Sequence, residues 1–429
     1  MENIFLLIII TLVSFALSLI EYKEYRSILT PFNVLMWPFL LIILYVNLFA
    51  IYRGYFPVTI KSIFFVGLNA LVFWLMGQNV WLCIRPKKNI RDLPERFKTF
   101  IVKNRTPLLF ILWIAILASI IQFVQVVAKI GIKGIGEEIF GETYGQGILG
   151  HLTILGYPSF MLLSSSCFII RDKIVELSIL LMGIVLLISQ VKYRLILPVL
   201  AIFYFVVFLK IMKKKSIVKH LYIAALLIIV VFFLSYFINF SARSGWESAL
   251  KSTNFIAENA ECYLIGGPIA LGVILDLYEY SSSWKAIFQV PIIIYRWLSG
   301  SHNFSISSEK GKEIGYISVG DKKMTNVDTM FGTIYRCIGF QGSILFMLVL
   351  GILVYVIFNL ALKRKTIILI LLSSWLLSIL TFCSFFGYYF GLLLIFEVSF
   401  DIIFIFFLVL VYQSFNTQFV KVKRPLKED

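Results

Sequence analysis

Four basic side chains lie directly beside apolar blocks of the sequence. Lys192 and Arg194 fall in a very short connection between two such blocks, and Arg243 follows the next block. Arg336 precedes the block after that. Arg presents a planar fork of donors that fits phosphate oxygens, and Lys adds a compact charge, so the four together predict a pyrophosphate site. The alternative is that each side chain extends its charge to a membrane surface or pairs with an acid.

Acidic and imidazole side chains in the same half of the chain are candidates for general-base chemistry. Asp328 is placed best, eight residues before Arg336, and His302 and Glu261 lie in the same long segment between two apolar blocks. A base must reach the hydroxyl proton that it removes, so the fold has to bring one of them beside the basic residues. A solvated loop residue is the alternative for each.

Two carboxylates lie inside the last apolar block. Glu397 and Asp401 are four residues apart and therefore share one helix face. Carboxylates within a membrane are costly and usually face a cavity or a partner. The pair is consistent with a proton or cation site, and equally with structural pairing to a basic or hydroxyl group of another helix.

The elements that must position these residues are membrane-spanning helices. Hydrophobic residues make up 60% of the 429 residues, charged residues only 14%, and mean hydropathy is +0.93. These values exclude a soluble enzyme and a disordered chain, and they are typical of an all-α polytopic membrane protein with a single integral membrane domain over 1–429. About 11 (10–12) blocks have the roughly 20 apolar residues that a span needs. The predicted spans are Asn3–Ile20, Asn33–Tyr52, Ser62–Ile84, Pro107–Ala128, His151–Ile170, Ile174–Gln190, Leu195–Ile211, Leu221–Phe240, Gly339–Leu362, Thr366–Phe386 and Gly391–Tyr412.

Positive charge is distributed unevenly between the predicted loops. Of the 39 Lys and Arg residues, 24 fall after the odd-numbered spans and only 6 in the short loops after the even-numbered ones. Because basic residues collect on the cytoplasmic side, the C-terminus is predicted inside and the nearly neutral segment 241–338 outside. The net charge of +16 then reflects orientation and contact with anionic lipid, and nucleic acid is not expected as a partner.

Two predicted outer segments are long enough to contribute to a site. Segment 130–158 is rich in Gly and fits either a lid or a flexible connector. Segment 241–338 is too long for a passive connector. Its apolar stretches Tyr263–Leu277 and Ala286–Leu298 are too short to span, which predicts interfacial or re-entrant helices.

The rest of segment 241–338 completes a predicted outer cap over a membrane-embedded site. Gly266, Gly267 and Pro268 are expected to open the first interfacial helix. The polar composition between Gly300 and Met324 predicts a solvent-exposed lid.

A nucleotide-binding domain is not expected in the chain. Gly131, Gly134 and Gly136 do not spell GxGxxG, and the one match to that pattern, Gly145–Gly150, lies in a predicted outer segment with no strand before it. GxxxxGK[ST] is not present, and the longest predicted cytoplasmic loop has about 20 residues, too few for such a domain. His151 and His220 are predicted on opposite sides of the membrane, so no three-His metal site is expected. We therefore expect no cofactor and a substrate that arrives already activated.

Three stretches resemble the Wzy-type O-antigen and oligosaccharide repeat-unit polymerases of bacterial inner membranes. Ser27–Trp37 (SILTPFNVLMW) resembles that family's polar and Pro-containing approach to its second span. Tyr263–Ile269 (YLIGGPI) resembles its Tyr-Leu-x-Gly-Pro stretch. Thr325–Gly332 (TNVDTMFG), followed by Gly339–Ser343 (GFQGS), resembles its Asn-Val-x-Thr and Gly-x-x-Gly motifs. These motifs cover about a tenth of the chain, whereas the pattern of spans fits over its whole length.

The resemblance implies a metal-independent glycosyl transfer at the periplasmic face, on a fold akin to the GT-C-like membrane-embedded glycosyltransferases. Undecaprenyl-pyrophosphate-linked glycans would be donor and acceptor, and a chain-length regulator protein would be a possible partner. Two alternatives stay open: a flippase of lipid-linked glycan, favoured by Glu397 and Asp401, and an O-antigen ligase, which shares the donor.

The residues expected to carry this chemistry follow from both arguments. A basic set is expected on the pyrophosphate, a carboxylate as base for the acceptor hydroxyl, and polar residues of segment 241–338 on the substrate. The chain departs from the family in having Arg336-Cys337-Ile338 where an acid often precedes the Gly-x-x-Gly motif, which weakens the carry-over of an acid catalyst from that place. The expected residues are Arg194, Arg243, Arg336 and Lys192 on pyrophosphate, Asp328 as base, and Asn326, His302 and Glu261 on substrate.

Overall fold

The computed structural model describes most of the chain. The described residues are 2–85, 93–131, 134–135, 140, 143–188, 192–209, 226, 230, 233–234, 237–238, 240–242, 244–277, 284–288, 292, 295–296, 299, 316–383 and 393–422.

Almost all of the described regular structure is helical. A short 3-10 turn at Ala50–Arg53 follows the second helix, and one β-hairpin lies in the C-terminal half. The helices are α1 Glu2–Tyr25, α2 Pro31–Leu48, α3 Ile60–Cys83, α4 Leu93–Ile130, α5 Gly147–Leu155, α6 Tyr157–Ser166, α7 Lys173–Ile188, α8 Lys192–Phe208, α9 Trp246–Lys251, α10 Thr253–Leu277, α11 Trp284–Ile287, α12 Met330–Arg364, α13 Ile367–Phe382 and α14 Leu393–Val422. The strands are β1 Ile317–Gly320 and β2 Lys323–Thr325.

The prediction of a helical, multi-pass membrane protein is confirmed. Within the described part of the chain, eight helical segments are long and apolar enough to cross a membrane, and α8 and α13 contribute shorter apolar helices. Every predicted span except Leu221–Phe240 overlaps a described helix. Most of that one block lies outside the described residues.

The helices pack into two compact units. The first unit comprises Met1–Lys88, Lys251–Lys365 and Leu376–Ile395. The second comprises Asn89–Leu250, Thr366–Trp375 and Phe396–Asp429.

In the first unit, α3 and α12 pack closely because small residues face the neighbouring helix. A side chain at Gly77 would overlap the Tyr355 ring, and one at Gly351 would press on the backbone of Phe73. Helices in a membrane associate through such close backbone approach, since lipid provides no hydrophobic drive between them. The Tyr355 hydroxyl also donates to buried Glu21, which ties α12 to α1.

Helix α10 lies across one end of α2 and α3. Glu261 in its first half pairs with Arg53 and Tyr45, and Asp276 near its end pairs with Lys61. All three partners lie beside the loop that joins α2 to α3, although Glu261 and Asp276 are about 22 Å apart along the helix axis. A helix that ran alongside α2 and α3 would have only one of these acids at that end.

The prediction for this region is wrong about where the helix begins. Helix α10 has 25 residues and starts at Thr253, so Gly266 and Pro268 lie in its interior. Polar residues at positions 253–262 hide this start from a hydropathy pattern, yet Glu261 stabilises it through Arg53. By length and composition alone α10 qualifies as a span, but its contacts are those of a helix that crosses the ends of its neighbours.

The β-hairpin docks on the same end of the first unit. Strands β1 and β2 are antiparallel, and the Phe56 N–H donates to the Val319 carbonyl at 2.9 Å. The Asp321 N–H donates to the Gly54 carbonyl at 2.8 Å. The predicted polar lid of Gly300–Met324 is thus a packed hairpin over its last residues, and 300–315 lie outside the described residues.

Helix α12 follows the hairpin and contains one kink. The Thr329 hydroxyl caps its start by accepting from the Gly332 N–H at 3.2 Å. Gly339 has φ +68°, outside the helical region, and glycine adopts that conformation without steric cost. The predicted span start at Gly339 therefore coincides with a break between a short first segment and a long apolar one.

In the second unit, α4 is the central helix and packs against α5, α6 and α7. The described residues of the Gly-rich segment are anchored on it. Phe140 and Tyr144 are buried and stacked with ring centroids 5.1 Å apart, and both contact Phe123 of α4. This packing fixes the chain immediately before α5.

Candidate functional site

The predicted site residues are divided between the two units. Arg194 belongs to the second unit, and Lys192 is the first residue of the same helix α8. Asp328, Arg336, Asn326 and Glu261 belong to the first unit. Arg243 and His302 lie outside the described residues, as does the side chain of Lys192.

The structure brings Asp328 and Arg336 together as an ion pair. Arg336 donates to Asp328 Oδ2 from Nη2 at 2.9 Å and from Nε at 3.3 Å, and the Thr333 hydroxyl donates to Oδ1 at 2.9 Å. The side chains are 1% and 11% exposed, respectively. Burial raises the pKa of Asp328, and the Arg336 guanidinium and Thr333 hydroxyl oppose that rise. Both carboxylate oxygens are engaged, so Asp328 holds Arg336 against the first turns of α12.

Two further predicted substrate residues lie on the hairpin side of the first unit. Glu261 accepts from the Tyr45 hydroxyl at 2.7 Å and from Arg53 Nη1 at 3.1 Å, and this contact fastens α10 to α2. Asn326 is partly buried in the turn between β2 and α12, two residues before Asp328.

Arg194 lines a pocket of a different character. Its guanidinium lies against Gly145, and the pocket wall includes hydroxyl groups from three helices and the preceding loop. In the described part of the chain no carboxylate is within salt-bridge distance of Arg194. The polar lining residues are Ser119 and Gln122 of α4, Tyr144, Thr153 of α5 and Tyr157 of α6.

The hydroxyl groups of this pocket are mostly buried. The Tyr157 hydroxyl is fully buried and has no hydrogen-bond partner in the described structure, which is costly unless a ligand or water supplies one. Tyr144 bonds to Ser119. Burial raises the pKa of Tyr144, and Ser119 and Arg194 oppose the rise. A cation beside neutral hydroxyl and amide groups is suited to an anion.

Gln122 fixes the backbone on which Arg194 rests. Its amide donates to the Gln146 carbonyl at 2.7 Å, and its oxygen accepts from the Gly145 N–H at 3.1 Å. Gly145 adopts φ +85°, a conformation that favours glycine. A Cβ at this position would overlap the Arg194 guanidinium. The sequence indicated a Gly-rich segment, but the contact of Gly145 with Arg194 depends on the fold and could not be predicted from it.

This contact leads to a prediction with a matched control. We expect Gly145→Ala to displace the Arg194 guanidinium and to reduce activity about as strongly as a conservative change of Arg194 itself. Gly147 has φ +69°, and a methyl group added there would have nothing within 4 Å, so Gly147→Ala carries the same backbone strain without touching Arg194. The activity of the two variants, normalised to protein in the membrane, separates the effects. Equal losses in both would mean that strain alone matters.

A third polar cluster was only partly foreseen. Glu397 in the first turns of α14 contacts His151 of α5, with Nδ1 and Oε1 2.7 Å apart. Asp401 follows one turn later, is 7% exposed, and has one oxygen without a partner in the described structure. Two acids on one face of a membrane helix were expected to face a cavity or a partner. The tertiary structure supplies His151 as the partner of Glu397. In the described part of the chain, no group of His, Cys, Asp and Glu side chains could hold a metal ion.

Comparison with known proteins gives one match. The model of a family of unknown function, DUF6337, matches residues 50–417, which include the Arg194 pocket, the His151–Glu397 contact and the Asp328–Arg336 pair. The chain belongs to the DUF6337 family. No curated protein and no solved structure matches it. For this DUF6337 protein, function must therefore be argued from the site itself.

Proposed function

We propose that this DUF6337 protein polymerises undecaprenyl-pyrophosphate-linked oligosaccharide repeat units into O-antigen or a related surface polysaccharide. The reaction is a metal-independent glycosyl transfer at the periplasmic face of a bacterial inner membrane. Donor and acceptor are both lipid-linked glycans, and a chain-length regulator is a possible partner. About 11 spans on a GT-C-like plan, with the C-terminus in the cytoplasm and 241–338 in the periplasm, are part of the same proposal.

The Arg194 pocket is the observation that carries the proposal. A guanidinium without a salt-bridge partner in the described structure, next to the unpartnered Tyr157 hydroxyl, suits the oxygens of a pyrophosphate. When the bond between the anomeric carbon and the pyrophosphate oxygen breaks, negative charge develops on the leaving group. Donors already aimed at that oxygen stabilise the charge without reorganisation.

The other basic residues have different parts in the proposal. Lys192 lies two residues before Arg194 on α8, and we assign it, with Arg243, to the same anion. Arg336 already has Asp328 as its counter-ion, so we assign that pair to holding the hairpin side of the first unit. Asn326, Glu261 and His302 remain candidates for glycan contact.

Transport of a lipid-linked glycan is the second candidate function. Asp401 favours it, because a nearly buried carboxylate with an unpartnered oxygen in a membrane helix is a common feature of ion-coupled transporters. The size of the cap formed by α10 and the hairpin favours an enzyme, since transport by alternating access requires both faces to open.

The deciding experiment is deletion of the gene in the native host, with surface glycan separated by gel electrophoresis. We expect long chains to disappear while single repeat units are still displayed. Loss of all displayed glycan would contradict the polymerase and support the flippase. Long chains that are made but left unattached would identify a ligase instead.

A further inference from the structure

His151 and Glu397 form a contact that the proposed pyrophosphate site leaves unused. The His151 side chain is 54% exposed, whereas Glu397 is 14% exposed. With Glu397 ionised, its Oε1 accepts the Nδ1–H of His151, and this fixes the tautomer in which Nε2 carries a lone pair. The exposed edge of the ring is therefore a proton acceptor, held in orientation by a mostly buried acid.

The contact lies beside the Arg194 pocket in the second unit. Gly150, which precedes His151 on α5, lines that pocket. The groups around the pair are Asp401 on α14, Arg194 on α8 and Tyr157 on α6, and each of the three is within electrostatic range of Glu397. A substrate whose pyrophosphate is bound at Arg194 would therefore present its sugar near His151.

We propose that His151 is the general base of the glycosyl transfer and that Glu397 is the residue that positions it. This inference rests on the proposed function. The acceptor hydroxyl oxygen forms a bond to the anomeric carbon of the donor, and its proton passes to His151 Nε2. The bond from that carbon to the pyrophosphate oxygen breaks, and the lipid pyrophosphate leaves with the electron pair.

His151 meets a requirement that Asp328 does not. A base must come within hydrogen-bond distance of the hydroxyl that it deprotonates. Asp328 is 0% exposed and both of its oxygens accept hydrogen bonds, so an acceptor sugar has no route to it. The imidazole of His151 is about half exposed in the described structure, so a hydroxyl group can reach it without rearrangement of the ring.

The test uses purified full-length protein in detergent with lipid-pyrophosphate-linked repeat units, and follows polymer formation from pH 5 to 9. We expect His151→Ala to lower kcat by about 100-fold or more while the KM for the donor changes little. The wild-type rate should fall on acidification, because protonated imidazole has no lone pair at Nε2. The residual rate of His151→Ala should not show this fall on acidification.

Two further sets of variants separate positioning from folding. Glu397→Gln keeps a hydrogen-bond acceptor for Nδ1–H and should retain more activity than Glu397→Leu, at equal membrane levels. His220→Asn is the matched control and should behave as wild type. If His151→Ala keeps the wild-type kcat, or if its residual rate still falls on acidification as in wild type, this inference is overturned while the proposed function stands. A wild-type protein that forms no polymer from these substrates would overturn the proposed function, and the inference with it.

Discussion

Replacement of Arg194 by Met is expected to reduce the rate of the proposed polymerisation by about 100-fold to 1,000-fold, the usual loss when one preorganised donor to a developing anion is removed. The guanidinium is the only basic group among the residues that line the described pocket, so its removal would leave the pocket hydroxyl groups with no cation among them at the proposed pyrophosphate. Arg194→Lys should retain part of the rate, because the charge persists but the planar fork is lost. Arg194→Glu should be inactive.

The measurement is polymer length and rate in a deletion strain complemented with each variant, at matched protein levels in the membrane. Lys129→Met is the control, since Lys129 is an exposed cation at the end of α4 in the same unit, and it should leave the rate unchanged. Full activity of both Arg194→Met and Arg194→Glu at normal expression would exclude Arg194 from pyrophosphate binding.

The Asp328–Arg336 pair is expected to produce the largest change in stability. Removing one partner leaves the other charge buried without its counter-ion, so Asp328→Asn and Arg336→Gln should each lower the free energy of unfolding by about 3–5 kcal/mol. The double variant should recover part of this loss, because no lone charge remains. Thermal unfolding in detergent is the measurement. Lys61→Met breaks the exposed Lys61–Asp276 pair and should cost less than about 1 kcal/mol.

The pH dependence of Arg336→Gln provides an independent check. Without the guanidinium, burial acts on Asp328 with less opposition, since the Thr333 hydroxyl remains, and it raises the pKa of Asp328 in the folded state further above the unfolded value. The protonated carboxyl then favours folding, so the variant is closest to wild type in stability at pH values below the unfolded pKa. The loss of unfolding free energy relative to wild type should grow as the pH rises through the pKa of Asp328 in the folded state. Single variants that unfold like wild type at every pH would contradict a structural role for the pair.

The helices were predictable because hydropathy is a local property. Blocks such as Ser62–Ile84 and Gly339–Leu362 carry their signal within about 20 consecutive residues, and the structure has helices at both. Helix α10 escaped this reasoning because its first turns are polar and are stabilised by Arg53, a residue about 200 positions away along the chain. Its orientation across the ends of α2 and α3 likewise depends on pairs that no window of sequence contains.

The residue types of the site were also predictable, whereas their partners were not. Arg194 and Arg336 looked equivalent in the sequence, since each lies beside an apolar block. The fold distinguishes them, because Arg336 is paired with Asp328 at the start of its own helix, whereas the polar side chains that line the pocket with Arg194 in the described structure are hydroxyls and one amide. Asp328 and His151 differ in a similar way. Both oxygens of Asp328 accept hydrogen bonds, whereas the His151 ring contacts Glu397 and is about half exposed.

The sequence by itself determined the class of the protein, since a hydrophobic content of 60% concentrated in long blocks leaves membrane helices as the only way to satisfy the backbone. It also determined which side chains are available for phosphate and proton chemistry. Only the tertiary structure decided which of these charges are neutralised and which stay open. Ion pairs and pockets form between residues that are distant in sequence, and packing of the helices alone sets those distances.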